Sequence, residues 1–574
     1  MGYAFVSQDV RGRGDSEGRF LPFLNDAADG KAAIEWVKSQ PWSNGKICTW
    51  GGSAEGVVQL MAAGENPDGL VCAIVTVATD DVYEGMMPAG AWRQELTTEW
   101  LKALDARDVY DEWRANESCG PYWDTGRLTP EERGRIDHPM LLVGGFFDIF
   151  SHSQLRMHRD FRNQVALGSR QDQFLVHGPW THGGAIFDEG AAVMEGDVHF
   201  ISSAGYDWFA RDIMDFLEWN LNGGERPSWA PVRYFRTRLG DTGLTATGTW
   251  RTVDEWPPVG SEVRLYLNPE GVLAVDQAVQ TGAAVNIPVN PSDPVPSVCG
   301  GNLTTKAGIC DQSIIDARPD VAVFQTVPVL QDTSVEGDVS VRIRAVFSSD
   351  DGDVVVRLSQ VTPTGAAMLL SDGIFRARFL GGFESPAAVV AGQPVDVDVK
   401  LGPVAFELPV GHALRIAVSG TSSPRYEVNP GHFVPLSEVA ELLPTELGLV
   451  AGESYLNITV TGGNSWGAIP DTGEEVQPDS GTSADNAGLS DEASDDDLSD
   501  VGLVDVDSGN VDASVSGDTC QADSSVCTCP QSAGCQASGG ARSTSGLPAL
   551  SCMMLALIII IAARRRRNWS RPTD

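Results

Sequence analysis

Positive charge is scarce in this chain: 40 Lys and Arg stand against 78 Asp and Glu, giving a formal net charge of -38. That balance excludes nucleic acid as a partner, because phosphate backbones are gripped by clustered Lys and Arg. The deficit is uneven, since Asp471 to Asp518 holds no Lys or Arg at all. Histidine is also scarce, with 8 in 574 residues, and none lies near Cys520, Cys527, Cys529 and Cys535. Without a nearby His or the spacing of a zinc ribbon, those four fit disulfides of an oxidising compartment better than a metal site. No leader precedes Met1, and Tyr3 to Val6 runs at once into a strand pattern. An exported chain should carry a leader, so a further N-terminal part, with the first strands of the sheet, is expected to be missing.

What is present is enough for two or three domains with full cores: 42% of residues are hydrophobic and 8% aromatic. Residues 1–228 read as alternating strands and helices, which implies a parallel sheet covered on both faces. Buried strands are expected at 3–9, Lys46 to Trp50, Leu70 to Val77, Met140 to Val143 and Phe174 to Val176. Helices are expected at Asn25 to Ser39, Val57 to Ala63 and Tyr206 to Gly223. A polar, Trp-rich, helix-prone insertion at about 81–135 suits a cap over an active site. Over 229–465 the pattern changes to period two, as in Val339, Val341, Ile343, Ala345 and Phe347, then Val395 to Leu401 and Leu414 to Val418. That predicts an antiparallel β-sandwich of the jelly-roll type. Residues 466–546 are Ser-, Gly- and Asp-rich and read as a disordered acidic stalk containing the late cysteines. Leu547 to Ala563 is almost unbroken apolar sequence followed by four arginines, Arg564 to Arg567. At about 1.5 Å per residue this is near the lower limit for a membrane helix, and 547–567 is expected to anchor the chain with everything before it outside the cytoplasm.

The chemistry concentrates at Cys48-Thr49-Trp50-Gly51-Gly52-Ser53-Ala54-Glu55-Gly56. A strand turning sharply into a helix through small residues exposes a serine hydroxyl above the sheet edge, and the next N–H, that of Ala54, is placed to hold an oxyanion. Such a serine needs a base and an acid, which in this topology follow in the order Ser, Asp, His. Leu141-Leu142-Val143-Gly144-Gly145-Phe146-Phe147-Asp148 is a buried strand ending in an acid. Phe174-Leu175-Val176-His177-Gly178-Pro179-Trp180-Thr181-His182 supplies a histidine after the next strand. Asp80 and Asp81 are rivals for the acid. His177 reads as packed within its strand, His152 and His158 as helix-surface residues, and His138 has no evident role. Asp9, Arg11 and Glu17 read as a bracing ion-pair network. Phe146 and Phe147 are candidates for an apolar substrate pocket, with core packing an equal explanation. Cys48 and Cys72, in apolar runs, read as buried thiols. Cys299 and Cys310 bracket a Gly-rich loop and are expected to pair as a disulfide.

These segments resemble the cocaine-esterase / X-Pro dipeptidyl-peptidase (CocE/NonD-like) family of α/β-hydrolases. The likeness runs from Gln8-Asp9-Val10-Arg11-Gly12-Arg13-Gly14-Asp15-Ser16-Glu17-Gly18 through Ala33-Ile34-Glu35-Trp36, Gln40-Pro41-Trp42-Ser43-Asn44-Gly45-Lys46 and the Ser53 turn. It continues with Gly144 to Asp148, Gly178 to His182, Phe216 to Leu221, Pro294 to Ser297, Ser371 to Ile374, Pro424 to Tyr426 and Asn429-Pro430. It covers about residues 1–465. The resemblance implies a Ser53–Asp148–His182 triad, a helical cap, a C-terminal jelly roll and no metal or cofactor. Two departures stand out: the family's Tyr after the nucleophile is Ala54 here, and its second oxyanion donor, a tyrosine hydroxyl upstream of the first strand, has no counterpart. The tail is similar to myxobacterial surface-sorting tags. The expected function is therefore a serine hydrolase acting on a small ester, amide or peptide, anchored at the cell envelope. A surface-anchored binding protein without catalysis is the alternative.

Overall fold

The computed structural model describes residues 3–183, 193–201, 209–278, 284–463, Trp466 and 556–563. The acidic stretch from 467 on, the late cysteines and the flanks 547–555 and 564–567 lie outside the described residues.

The first part alternates as the apolar periodicity requires: β1 (Tyr3–Asp9), α1 (Asp26–Ser39), β2 (Ser43–Gly52), α2 (Ala54–Gly64), β3 (Leu70–Thr76). A helical insertion follows, with α3 (Val82–Met86), α4 (Glu99–Ala103), α5 (Arg107–Ala115) and α6 (Pro130–Arg135). Then come β4 (Met140–Phe147), α7 (Ser151–Gln164), β5 (Gln173–Thr181), the short hairpin β6 (Val193–Glu195) and β7 (Val198–Phe200), and α8 (Phe209–Leu217). One wider turn extends α8 to Asn222, and Gly223 closes it at φ 75, the left-handed position that glycine adopts without strain. Strands β2, β3, β4 and β5 pair in parallel, and β8 (Val232–Leu239) adds to β5 in the same sense. Both faces of such a sheet are covered, which is why Leu141, Leu142 and Val143 are all buried rather than alternating.

The insertion packs through aromatic side chains: Trp92, Trp113 and Trp123 are fully buried, and Phe23 stacks on Trp100 at 5.6 Å. Thr129 and Glu132 form a reciprocal cap at the start of α6.

From β9 (Thr245–Val253) onward the chain is built from strands. β10 (Ser261–Asn268), β11 (Val272–Ala274), β12 (Ala284–Val289) and β13 (Ala322–Gln325) lead into the long β14 (Thr333–Phe347). β15 (Asp353–Val361), β16 (Ala367–Arg376), β17 (Pro394–Leu408), β18 (Ala413–Ser419), β19 (Thr445–Val450) and β20 (Tyr455–Gly462) complete it. β14 pairs antiparallel with β17, β19 and β20, while β15 pairs with β16 and β18. The period-two set Val339, Val341, Ile343, Ala345 and Phe347 is buried, together with Val397, Val399, Leu414, Ile416 and Val418. At about 25 cal/mol per Å² of apolar surface, each such residue contributes roughly 1.5–3 kcal/mol.

Two expectations change here. Ala556–Ala563, within the expected membrane helix, is a strand, β21. It runs antiparallel between β1 and β2, pairing Tyr3 to Asp9 on one side and Ile47 to Thr49 on the other. Consecutive isoleucines have strong strand preference, and β1 and β2 otherwise present ladder groups without a mutual partner. Among the described residues no helix is long and apolar enough to cross a membrane. Second, Cys48 and Cys72 are not thiols: they are register partners on β2 and β3 and form a disulfide, with Cα atoms 4.6 Å apart. Cys299 and Cys310 are also joined.

Candidate active site

Ser53 sits between β2 and α2 with φ 56 and ψ -123, a conformation that costs a non-glycine residue of order 1–3 kcal/mol and turns its side chain away from the sheet. The turn is tight on its other side as well. A Cβ on Gly56 would lie 2.5 Å from that of Ala78, so the first turn of α2 packs against the chain leaving β3 only with glycine there. That close approach accounts for a glycine three residues after the serine. Ala54 is the first residue of α2, so its N–H has no helical carbonyl to bond.

The three separated segments meet at this turn. His182 Nε2 lies 2.8 Å from Ser53 Oγ, and His182 Nδ1 lies 2.6 Å from Asp148 Oδ2. The other carboxylate oxygen of Asp148 accepts the N–H of Phe150 at 2.8 Å. Asp148 and His182 are buried, at 4% and 7% exposure, while Ser53 is half-buried. A carboxylate on Nδ1 fixes the proton there and leaves Nε2 as an acceptor toward the serine, the tautomer a general base needs.

The rivals have other partners. Asp80 is fully buried and held by Arg133 at 2.5 Å and Arg156 at 2.8 Å, which tie the sheet, α6 and α7 together. Burial alone would raise its pKa, but the two guanidiniums more than reverse that and hold it below the usual carboxylate range. Asp81 caps α3 by accepting the Glu84 N–H. His177 is buried beside Ser151 Oγ at 3.2 Å, and burial pushes its pKa down to about 3. His158 departs from expectation: it is buried, not on the helix surface, with Nε2 3.1 Å from the Gln173 carbonyl. His152 Nε2 faces Glu84 at 3.6 Å. His138 is buried, and burial pushes its pKa to about 4. Arg11 pairs with Asp29 of α1 rather than with Asp9 or Glu17.

A cavity of about 650 Å³ opens on the Asp148 side of the imidazole, between the cap, β4 and the sandwich. Phe146 and Phe147 line it, with Tyr83, Met87, Phe150 and Tyr426. Ser53 and His182 are not on its wall, so it adjoins the Ser53–His182–Asp148 cluster without containing Ser53. Phe150 forms the join: its ring meets the His182 ring edge-on at 5.7 Å. Sequence reasoning did not single out Phe150, although an aromatic two residues after the acid was visible. Nor did it find the cavity wall given by Leu370 to Gly373, which only the packing of β16 against the cap brings near.

An α/β sheet with a strained serine, a histidine and a buried acid in this order defines a serine hydrolase of the α/β type. Residues 1–110 and 89–184 match the X-Pro dipeptidyl-peptidase (S15 family), and residues 228–438 match the X-Pro dipeptidyl-peptidase C-terminal non-catalytic domain. The chain belongs to the CocE/NonD-like family of α/β-hydrolases. It is 28% identical over 488 residues to cocaine esterase of Rhodococcus sp. (strain MB1 Bresler), covering 75% of this chain and 82% of that one. Solved structures with this fold include an aminopeptidase from a marine sediment Thaumarchaeota archaeon (TM-score 0.66, 23% identity, 79% of this chain and 84% of that one). An α-amino acid ester hydrolase is equally near (TM-score 0.66, 22% identity, 79% and 84%).

Proposed function

We propose that this serine hydrolase cleaves a small, uncharged ester or amide through an acyl-enzyme on Ser53. His182 Nε2 takes the Ser53 proton as Oγ attacks the carbonyl, and Asp148 stabilises the imidazolium that forms. The Ala54 N–H donates to the oxyanion. His182 then returns the proton to the leaving alcohol or amine, and water repeats the sequence to release the acid. The observation that carries this reading is the continuous chain of contacts from Ser53 Oγ through His182 to Asp148, at 2.8 and 2.6 Å.

An ester or simple amide is favoured over an X-Pro peptide by the aromatic wall of the cavity and by the pairing of most of the carboxylates on it. A dipeptidyl-peptidase must hold a free ammonium group with an uncommitted acid. Among the described acids on the cavity wall, Asp372 is engaged by Arg425, Asp398 by Arg342 and Asp81 at its helix cap, while Glu384 is exposed to solvent rather than enclosed. Glu84 is paired with Arg156. The aromatic wall instead suits an apolar acyl or aryl group, with Phe146 and Phe147 as part of it. Two disulfides support work in an oxidising compartment, at or beyond the cell envelope.

The test is fluorophosphonate labelling beside Ser53→Ala, followed by turnover of a p-nitrophenyl ester and of a Gly-Pro anilide. Labelling lost in the variant, with ester turnover far above anilide turnover, is expected. No labelling of the folded wild type removes the enzyme reading, and faster anilide cleavage reverses the substrate preference.

A further inference from the structure

The ring closed by Cys299 and Cys310 lies in the second domain, yet its contacts converge on the triad. Inside the ring, Gly300 and Gly308 exchange two backbone hydrogen bonds, and the buried Asn302 amide donates to the carbonyls of Cys299 and Lys306. The ring is therefore a shaped, internally bonded unit. Three sides of it then reach the catalytic domain.

The first contact is with the acid. A Cβ on Gly301 would lie 2.9 Å from the Asp148 carbonyl oxygen, so the ring rests directly on the turn that presents the triad carboxylate. The second is with the base. Ile309 N–H donates to the Glu195 carbonyl, and the Glu195 carboxylate accepts the N–H of Thr181, the residue before His182. The third is with the cap. Glu95, 2% exposed, accepts the N–H groups of Leu303 at 3.1 Å and Thr304 at 2.9 Å, and its own carbonyl accepts the Thr304 hydroxyl. A buried carboxylate satisfied by two backbone donors is a charge-assisted clamp, stronger than an ordinary hydrogen bond. The acid turn, the base loop and the cap are otherwise far apart in sequence, and this one ring touches all three.

We propose that the ring closed by Cys299–Cys310 is a positioning strap for the triad, so that turnover on Ser53 depends on that disulfide. The proposal rests on the triad reading above. Opening the ring frees the backbone that abuts Asp148 and that, through Glu195, restrains Thr181. Misplacing a catalytic group by about 1 Å can cost up to a hundredfold in rate.

Two variants test it, in the full chain. Cys299→Ser/Cys310→Ser opens the ring. Gly301→Ala leaves the disulfide intact but forces the ring or the Asp148 turn to shift. Each is expected to lower kcat and the rate of Ser53 fluorophosphonate labelling by about tenfold or more at a temperature where melting shows it folded. If both folded variants label and turn over within about twofold of wild type, the proposal fails. In that case a lower Tm of the double variant marks the disulfide as a stabiliser only. If the double variant does not fold, Gly301→Ala decides. If wild type itself does not label, the enzyme reading has failed, and amide exchange judges the strap alone. Faster exchange of the Phe150 and Thr181 N–H groups in the opened ring supports it, and unchanged exchange overturns it.

Discussion

Asp148→Asn probes the link between geometry and chemistry most directly. One oxygen of Asp148 accepts from His182 Nδ1 at 2.6 Å and the other from the Phe150 N–H at 2.8 Å. Asparagine is nearly isosteric and has one acceptor and one donor for these two positions. Its carbonyl can keep the Phe150 N–H, which places the NH₂ against Nδ1. The imidazole must then carry its proton on Nε2, facing Ser53 Oγ 2.8 Å away. The base becomes a donor toward the atom it should deprotonate. In serine hydrolases with this arrangement such a swap costs about 10⁴ in kcat, or ~5.5 kcal/mol of barrier. KM should change little, because Asp148 does not face the serine. The assay is steady-state turnover of a p-nitrophenyl ester, with circular dichroism and melting to show that the variant is folded. A folded Asp148→Asn protein within about tenfold of wild-type kcat, when Ser53→Ala is dead, would refute the role given to this acid.

Other expectations follow from the buried charges and from packing. Asp80→Asn leaves Arg133 and Arg156 facing a neutral amide and should cost about 3–5 kcal/mol, read as a lower urea midpoint, with kcat of the folded protein at 25 °C unchanged; a collapse of kcat without loss of stability would make Asp80 catalytic after all. His138 and His158 are pushed down to about 4 and His177 to about 3 by burial, so each binds its proton more readily when unfolded, and stability is lost as pH falls from about 6.5 toward 3–4. Asp26, raised by burial to about 7, acts oppositely: its folded form holds the extra proton, which favours folding below pH 4 and is lost as pH rises through 7. Together these four groups take up about two protons on unfolding near pH 5 and contribute a slope of roughly 3 kcal/mol per pH unit, measurable by urea unfolding as the loss of slope in variants that remove the three histidines; an unchanged slope would contradict it. Asp26→Asn should stabilise the protein at pH 8 by up to about 4 kcal/mol and leave it nearly unchanged at pH 4, where the native carboxyl is already neutral. Gly56→Val should prevent the close approach of α2 to Ala78 and abolish Ser53 labelling before it abolishes folding; full labelling would show that the turn has slack.

Local patterns carried most of what the sequence revealed. The serine turn is written in consecutive small residues between an apolar strand and a helix, and each partner is marked by an acid or a histidine just past a strand end. Those signals span fewer than about ten residues each, and chain order arranges them. The sandwich was equally legible because period two over Val339 to Phe347 has only one buried face to satisfy. What failed was information held between segments. Cys48 and Cys72 sit in apolar runs that look alike whether the sulfurs are free or bonded. Only the register of β2 on β3 makes them partners. The burial of His158 depends on α7 lying over β5, which a helical pattern alone does not fix.

Ala556–Ala563 shows the same limit in sharper form. An apolar run of this length fits a helix in lipid, a core helix or a buried strand, and hydropathy does not distinguish them. β-branched residues tilt the balance toward a strand, and the ladder groups offered by β1 and β2 complete it, because each hydrogen bond made contributes about 0.5–1.5 kcal/mol. With seven register pairs to β1 and four to β2, β21 answers many such groups at once. The conformation of the segment is therefore set by the edges available to it together with its β-branched composition, and not by its hydropathy. The active site follows the same logic: the ring of Cys299 and Cys310 is unremarkable as sequence, and its relation to Asp148, Thr181 and Glu95 exists only once the second domain is packed on the first.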